Sequence, residues 1–498
     1  VDLGDGLFQQ NWIRCKVSGT GYRPTIGRAP LPTGVRVENN TAVEEAETSK
    51  RSNLQSLRGF EAIMASSLHM PSARRIMFAH MDEPASGISS KRKRRATIED
   101  LLELAGRAHS VLEAARADSL RPESKKTLRD FTMSEVCALL EIHFTKFYEA
   151  VADHPELQGT KVKGKRLFTL ADIHALQEHL KQLPRQKYGI ERALTISVAN
   201  FKGGVAKTFT AVTLAQYLAM RGFRTLVIDT DPQASLTSCF GLDPSQVEDH
   251  HTILPYLYGR ERVEAFGFKW PESFREVIQP TYWSRLDIVA ANLTLYSGEF
   301  CLGLRREESK GSDTPFQFHR PLHDAIESVR KDYDVIIIDN PPALSLSTTG
   351  AIFAADGLIL PTGAETLDFE SAEAFMQLAG DILKAVRKSF GDEKELDLFR
   401  ILITKFQGRD AEKKIAHRIL SVFGDYCIQE PMVQSATVQK SASNWRTLYE
   451  EDPRGKGRTV LKRAVDAANT VNKMIEEDIV EVFEEWRQKR RNPEQVAA

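Results

Sequence analysis

Residues 197–218 read SVANFKGGVAKTFTAVTLAQYL, and few folds can accommodate that order. An apolar strand enters a loop of small residues, and the loop enters a helix expected from about Thr208. Glycines at 203 and 204 let the backbone curl close to a ligand with no Cβ in the way. Backbone amides at the helix start would then face an anion, with the helix dipole helping. Lys207 would reach the β and γ phosphates of a nucleotide, and the Thr208 hydroxyl would bind Mg²⁺. The general phosphate-loop pattern GxxxxGK[ST] is not met, because Phe201 and Ala206 stand at its two glycine positions. Alanine at 206 costs about 1 kcal/mol if the backbone there needs a positive φ.

From Leu194 onward the chain alternates strand and helix. Strands are expected at Leu194–Ala199, Arg224–Asp229, Leu286–Ala290, Asp334–Ile338, Gly357–Pro361 and Arg400–Thr404. Most are short and apolar throughout, as strands covered on both faces should be. Helical stretches such as Pro321–Val329 separate several of them. The fold class is therefore α/β, a mostly parallel sheet flanked by helices, with ligands beyond the carboxyl ends of its strands. In DYDVIIIDNPP, four apolar residues bury a strand and Asp339 emerges at its end to hold Mg²⁺ through water. Pro341 and Pro342 stiffen the turn that follows.

The chain has 498 residues, enough for two or three domains. Lysine and arginine (67) nearly balance aspartate and glutamate (68), so nucleic-acid binding needs local patches rather than a global charge. Five dispersed cysteines without a CxxC pair argue against a disulfide framework or a zinc site, and a reducing compartment fits. No apolar run is long enough to span a bilayer, and no signal peptide is apparent. Residues 1–90 read as a disordered tail or as an extension upstream of Met81. Residues 91–125 hold the basic run KRKRR and a helix capped by Thr97 and Asp100. Its stripe of Ile98, Leu101, Leu102, Ala105, Ala108 and Leu112 would pack on its own domain or on a second copy.

Residues 126–188 read as helix, turn, helix, basic hairpin, helix. Thr132 and Glu135 form a capping box, a second helix runs from about Thr145 to Ala152, a hairpin turns at Gly164, and Thr169 caps a helix through Leu183. The order resembles a winged helix-turn-helix of the MerR-like kind. Lys161, Lys163, Lys165 and Arg166 on the hairpin suit phosphate contacts, and Lys146 and Tyr148 would face a groove. His174 and His179, five residues apart on one helix, suit surface or packing roles better than a shared metal. Residues 189–490 form the nucleotide domain. Arg409, Lys413, Arg446 and Lys462 belong to a basic concentration, with Lys414, Arg418, Lys440, Arg454, Lys456, Arg458 and Arg463, suited to sequence-blind DNA contact.

The loop KGGVAKT resembles the deviant phosphate loop of the ParA/MinD ATPases, whose first lysine stands here as Lys202. That resemblance implies a face-to-face homodimer enclosing two ATP molecules, with Lys202 reaching the partner's nucleotide and Lys207 its own. Gly203, Gly204, Val205, Ala206, Lys207, Thr208 and Phe209 would hold the nucleotide, and Lys202, Lys207 and Asp231 would serve catalysis. RTLVIDTDPQASLT resembles the family's DxDPQ switch, in which the second aspartate, here Asp231, positions or activates the attacking water, a task that suits a carboxylate. The stretches ADGLILPTGAET and ILITKFQG look like later strands of the family.

Within that family the likeness is strongest to plasmid-partition ParA proteins of the type with an N-terminal helix-turn-helix. The likeness implies slow ATP hydrolysis, DNA binding with and without an operator, autorepression, a ParB/RepB-type centromere-binding partner, and a bacterial cytoplasmic, nucleoid-associated location. Two alternatives stand. One is a MinD-like membrane-positioning ATPase, which needs a basic amphipathic C-terminal helix. Here acidic residues surround the apolar face of Ile475, Ile479, Val482, Phe483 and Trp486, so a packed terminal helix and no membrane partner are expected. The other is a DNA-binding repressor with a non-hydrolytic ATP switch.

Overall fold

The computed structural model describes residues 97–119, 126–162, 164–434, 446–451 and 458–491. The expected tail at 1–90, the basic run at 91–95, Lys163, Lys440, Arg454 and Lys456 lie outside the described residues. Helix α1 (Ile98–Ser119) opens on the anticipated cap: Asp100 N donates to Thr97 Oγ1 at 3.1 Å and Thr97 N to Asp100 Oδ2 at 2.9 Å. Its residues Ile98, Leu101 and Leu102 are exposed.

A short strand β1 (Phe131–Thr132) leads into α2 (Met133–Leu140), which starts on the Thr132/Glu135 capping box. Helix α3 (Phe144–Val151) follows, with His143 Nδ1 accepting from Thr145 N. The hairpin β2 (Thr160–Val162) and β3 (Lys165–Phe168) turns at Gly164, where φ is 81°. That positive φ is what glycine supplies without strain. Strand β1 pairs antiparallel with β3, a pairing two residues long that leaves no periodicity to read. Helix α4 (Leu170–His179) starts on Thr169 and stops four residues short of the expected Leu183. Lys181 takes φ 55°, which breaks the helix, and Pro184 then begins a separate turn of helix. Phe131, Phe147, Phe168, Ile173 and Leu176 are buried, in one core cluster with Leu194, Ile196 and Leu214.

The remaining strands are β4 (Leu194–Val198), β5 (Thr225–Asp229), β6 (Gln279–Pro280), β7 (Leu286–Val289), β8 (Val335–Asp339), β9 (Gly357–Gly363) and β10 (Leu398–Thr404). They form one sheet in the order β10-β9-β4-β8-β5-β7-β6. All neighbours are parallel except β6, which pairs antiparallel with β7 at the edge. Each anticipated strand is present within a few residues of its expected ends. Helices α5 (Lys207–Met220), α6 (Leu295–Glu308), α7 (Arg320–Glu327), α8 (Leu346–Ala354), α9 (Thr366–Phe390), α10 (Asp410–Phe423) and α11 (Arg458–Arg491) accompany the sheet. Strands β4, β5 and β8 are buried along their whole length, which explains their unbroken apolar character.

Helix α11 lays its apolar face on the protein itself. Ile475, Ile479, Val482 and Phe483 are buried. Asn472 donates to the Thr213 carbonyl at 3.2 Å, and Arg400 Nε donates to Asp478 at 2.8 Å. Tyr217 Oη and Arg221 Nε donate to the buried Glu476 at 3.0 and 3.1 Å. The apolar face of the terminal helix is thus packed on the protein itself, as the sequence predicts. Among the described residues no helix is long and apolar enough to cross a membrane.

His174 has a packing role. Its Nε2 lies 2.7 Å from the Ala219 carbonyl and its Nδ1 2.9 Å from Ser284 Oγ. The carbonyl can only accept, so Nε2 carries the proton and Nδ1 accepts from the serine. Burial drives the His174 pKa down to about 4. The unfolded chain therefore binds a proton between about pH 6.5 and 4 that the folded chain refuses. Stability should fall through that window as pH drops, by about 3 kcal/mol in total from this residue. Denaturant midpoints measured from pH 7 to 4 should flatten in His174→Gln; an unchanged acid limb would assign the loss elsewhere.

Candidate phosphate-binding site

Strand register places the site. Val198 pairs with Asp339, and Asp339 pairs with Asp229, so the ends of β4, β8 and β5 lie level at one edge of the sheet. The loop from Ala199 to Ala206 leaves β4 there and enters α5. Its start is anchored: Asn200 Nδ2 donates to the Pro361 carbonyl at 2.9 Å, and Asn200 Oδ1 accepts from Lys202 N at 3.0 Å. Its end is held by Thr404 Oγ1, which donates to the Val205 carbonyl at 3.0 Å. Gly204 has φ 75° and Ala206 φ 63°. Ala206 thus occupies the left-handed region, and its strain of about 1 kcal/mol is borne by the surrounding contacts. The helix begins at Lys207, one residue earlier than expected, with Thr208 half-buried and Phe209 packed against the core.

Lys207 is buried, and its Nζ donates to the Lys202 carbonyl at 3.1 Å. Burial pushes its pKa down, while the charges of Asp339 and Asp231 oppose that shift. One ammonium therefore faces two carboxylates at the strand ends. Asp339 is fully buried, and among the described residues neither of its oxygens has a hydrogen-bond partner within normal geometry. Its pKa is pushed well above the carboxylate range, chiefly by burial and then by Asp229; Thr208 and Lys207 pull the other way. A buried carboxylate with unfilled oxygens beside a threonine hydroxyl fits a hydrated divalent cation. Asp229 is engaged differently. It accepts from Thr237 N at 2.9 Å, Thr237 Oγ1 at 2.7 Å and Asp231 N at 3.1 Å, which makes it a structural clamp. Asp231 accepts from Gln233 N at 2.9 Å.

Lys202 behaves unlike Lys207. Its ammonium pairs with Asp368 of the same chain, in the first turn of α9. The approach is close enough to require glycine nearby: a Cβ on Gly363 would fall 1.9 Å from Asp368 Oδ2. The sequence reading did not find Asp368, because only folding brings β9 beside the loop. Lys405 was also missed. It directly follows β10 with φ 55°, and its Nζ lies 3.7 Å from the position a Cβ on Gly204 would take. A lysine straight after an apolar strand was the available signal, but many solvated lysines share it.

The residues read as DNA-facing lie on several elements. Lys146 and Tyr148 are exposed on α3. Lys161 and Lys165 are exposed on the hairpin, and Arg166 there donates to Gln158 Oε1 at 2.8 Å. Arg409 and Lys413 open α10, but each meets carboxylates of its own chain. Arg409 Nε donates to Glu412 at 2.8 Å, and Lys413 Nζ to Asp410 at 3.2 Å. Arg446 and Lys462 are exposed. All four described cysteines are free thiols.

Residues 193–391 match a family model described as an AAA domain. A protein from Rhizobium rhizogenes bearing the provisional name replication protein A is 32% identical over 377 residues, 74% of this chain and 91% of that protein. Protein SopA from Escherichia coli strain K12 is 30% identical over 339 residues, 66% of this chain and 83% of that protein. A solved structure titled "Partition Protein" shares the fold with a TM-score of 0.50, at 19% identity, covering 74% of this chain and 98% of its own. Together with the lysine-bearing loop at the mouth of β4, these matches place the chain in the ParA family of P-loop partition ATPases.

Proposed function

We propose that the protein is an ATP-dependent DNA-partitioning ATPase that segregates a plasmid or secondary replicon. The observation that carries this reading is the convergence of Lys207, Asp231 and Asp339 beside a glycine loop at a helix start. Residues Gly203 to Phe209 would cradle the triphosphate with backbone amides, and Lys207 would neutralise its β and γ oxygens. Thr208 and Asp339 would hold Mg²⁺, Asp339 through water; the ion supplies charge stabilisation on the transferring phosphoryl group. Asp231 would orient the attacking water.

Lys202 would act on the nucleotide of a second copy, so that ATP links two chains face to face. Its pairing with Asp368 occupies it within one chain, and the exchange of that carboxylate for a partner's phosphate would make dimerisation depend on ATP. The dimer would bind DNA without sequence preference through Arg409, Lys413, Arg446 and Lys462, with salt-sensitive affinity. Arg409 and Lys413 would first have to leave their carboxylate partners. Residues 126–188 would act as a winged helix-turn-helix domain reading an operator through Lys146, Tyr148, Lys161, Lys163, Lys165 and Arg166, which gives autorepression. Hydrolysis would be slow and stimulated by a ParB/RepB-type centromere-binding protein. The protein would work in the bacterial cytoplasm on the nucleoid.

The test is sizing and ATP turnover of the purified chain, with and without plasmid DNA. Lys202→Ala should bind ATP within about threefold of wild type, yet lose the ATP-dependent dimer and at least tenfold of DNA-stimulated turnover. A variant that still dimerises on ATP would remove the proposed role in the partner's site.

A further inference from the structure

Helix α6 lies outside the phosphate loop, but it holds the loops that follow β5 and β8. Gln233, two residues after Asp231, donates from Nε2 to Tyr296 Oη at 3.1 Å. The Glu299 carboxylate accepts from Leu346 N at 2.8 Å, Ser347 N at 3.0 Å and Ser347 Oγ at 2.7 Å. Those amides open α8, the helix that follows Asp339 and its proline turn. The first amides of a helix lack internal acceptors, and an anion there is favoured by the dipole. The local cap, Ser345 Oγ, accepts from one backbone amide among the described residues, Thr348 N at 3.3 Å. Glu299 thus completes the cap from a different element.

Tyr296 and Glu299 are three residues apart, so they share one face of α6. The helix between them has little freedom to yield. A Cβ on Gly298 would fall 2.7 Å from a Leu257 methyl carbon, and Leu295 and Leu302 are buried. At the start of α6, Asn292 Nδ2 donates to Asp249 at 2.7 Å. Close-packed contacts of this kind transmit a displacement rather than absorb it.

We infer that Tyr296 and Glu299 are positioning residues that make α6 a mechanical link between the loop carrying Asp231 and the loop following Asp339. Release or capture of either loop then shifts the other. The kinetic consequence rests on the ATPase reading; the structural link does not.

Hydrogen exchange on the full nucleotide-free chain tests the link directly. Glu299→Ala should speed exchange about fivefold or more at 343–347, because each of the Leu346 and Ser347 amides loses its hydrogen bond. It should also speed exchange at 230–234, a loop that Glu299 does not touch. Tyr296→Phe, which removes one exposed hydroxyl and cannot threaten the fold, should speed exchange in both segments as well. With Mg²⁺ and ATP, both variants should lose about tenfold in kcat with KM changed less than about threefold, and Glu299→Gln, which keeps one acceptor, should fall between. Exchange confined to the touched segment in each variant would overturn the inference and leave Glu299 as a local cap. If wild type shows no turnover, the ATPase reading fails while the exchange result still decides the link.

Discussion

Asp339→Asn is expected to give a protein that is more stable and nearly inactive. The carboxylate is fully buried, has no hydrogen-bond partner of normal geometry among the described residues, and sits beside Asp229. Each of these features penalises its charge. A folded-state pKa raised this far costs stability as pH climbs above the ordinary aspartate value, because the unfolded chain ionises freely and the folded chain does not. A neutral amide of the same size removes that cost. The nucleotide-free variant should gain about 1 kcal/mol, roughly 2 °C in Tm. The same change removes the anion that fits a divalent cation, so Mg²⁺-dependent ATP turnover should fall about 100-fold or more. Thermal melts without nucleotide and steady-state turnover check the two halves separately. A variant that melts lower yet turns over normally would make Asp339 a structural residue.

Lys207→Ala is expected to lose ATP itself. The ammonium is buried against the loop with one backbone acceptor, the Lys202 carbonyl, and with Asp231 and Asp339 as its counter-charges. A charge-assisted contact to phosphate contributes about 1.5–3 kcal/mol, so affinity should drop about 10- to 100-fold. Lys207→Arg should not restore it, since the planar fork needs more width than the loop offers a compact ammonium. Fluorescent-nucleotide titration measures the loss directly. The contrast with Lys202→Ala matters: one lysine should govern binding within a chain, the other pairing between chains. Equal losses of ATP affinity in both variants would erase that division.

The fold was legible because its strongest signals are local. Short apolar runs mark β4, β5 and β8, and capping boxes at Thr132 and Thr169 mark helix starts. The two-residue strands β1 and β6 were not legible, since a pairing that short has no period. The break at Lys181 was missed because nothing in its neighbours announces a left-handed residue. At the site, the loop, Lys207 and the acids at strand ends were visible as types at a spacing. Their inequality was not visible: Asp229 and Asp231 look alike in DTDPQ, yet Thr237 claims only the first.

What the sequence determined alone was the order strand, glycine loop, lysine, helix, and with it an anion site at the mouth of a parallel sheet. Bond-level sterics and helix-end amides act over a few residues, so they can be read along the chain. Folding alone decided that Asp368 holds Lys202, that Lys405 approaches Gly204, and that Glu299 caps a helix 47 residues away. Those contacts join residues whose separation in sequence carries no information about their distance in space, and only the packing of the sheet brings them together.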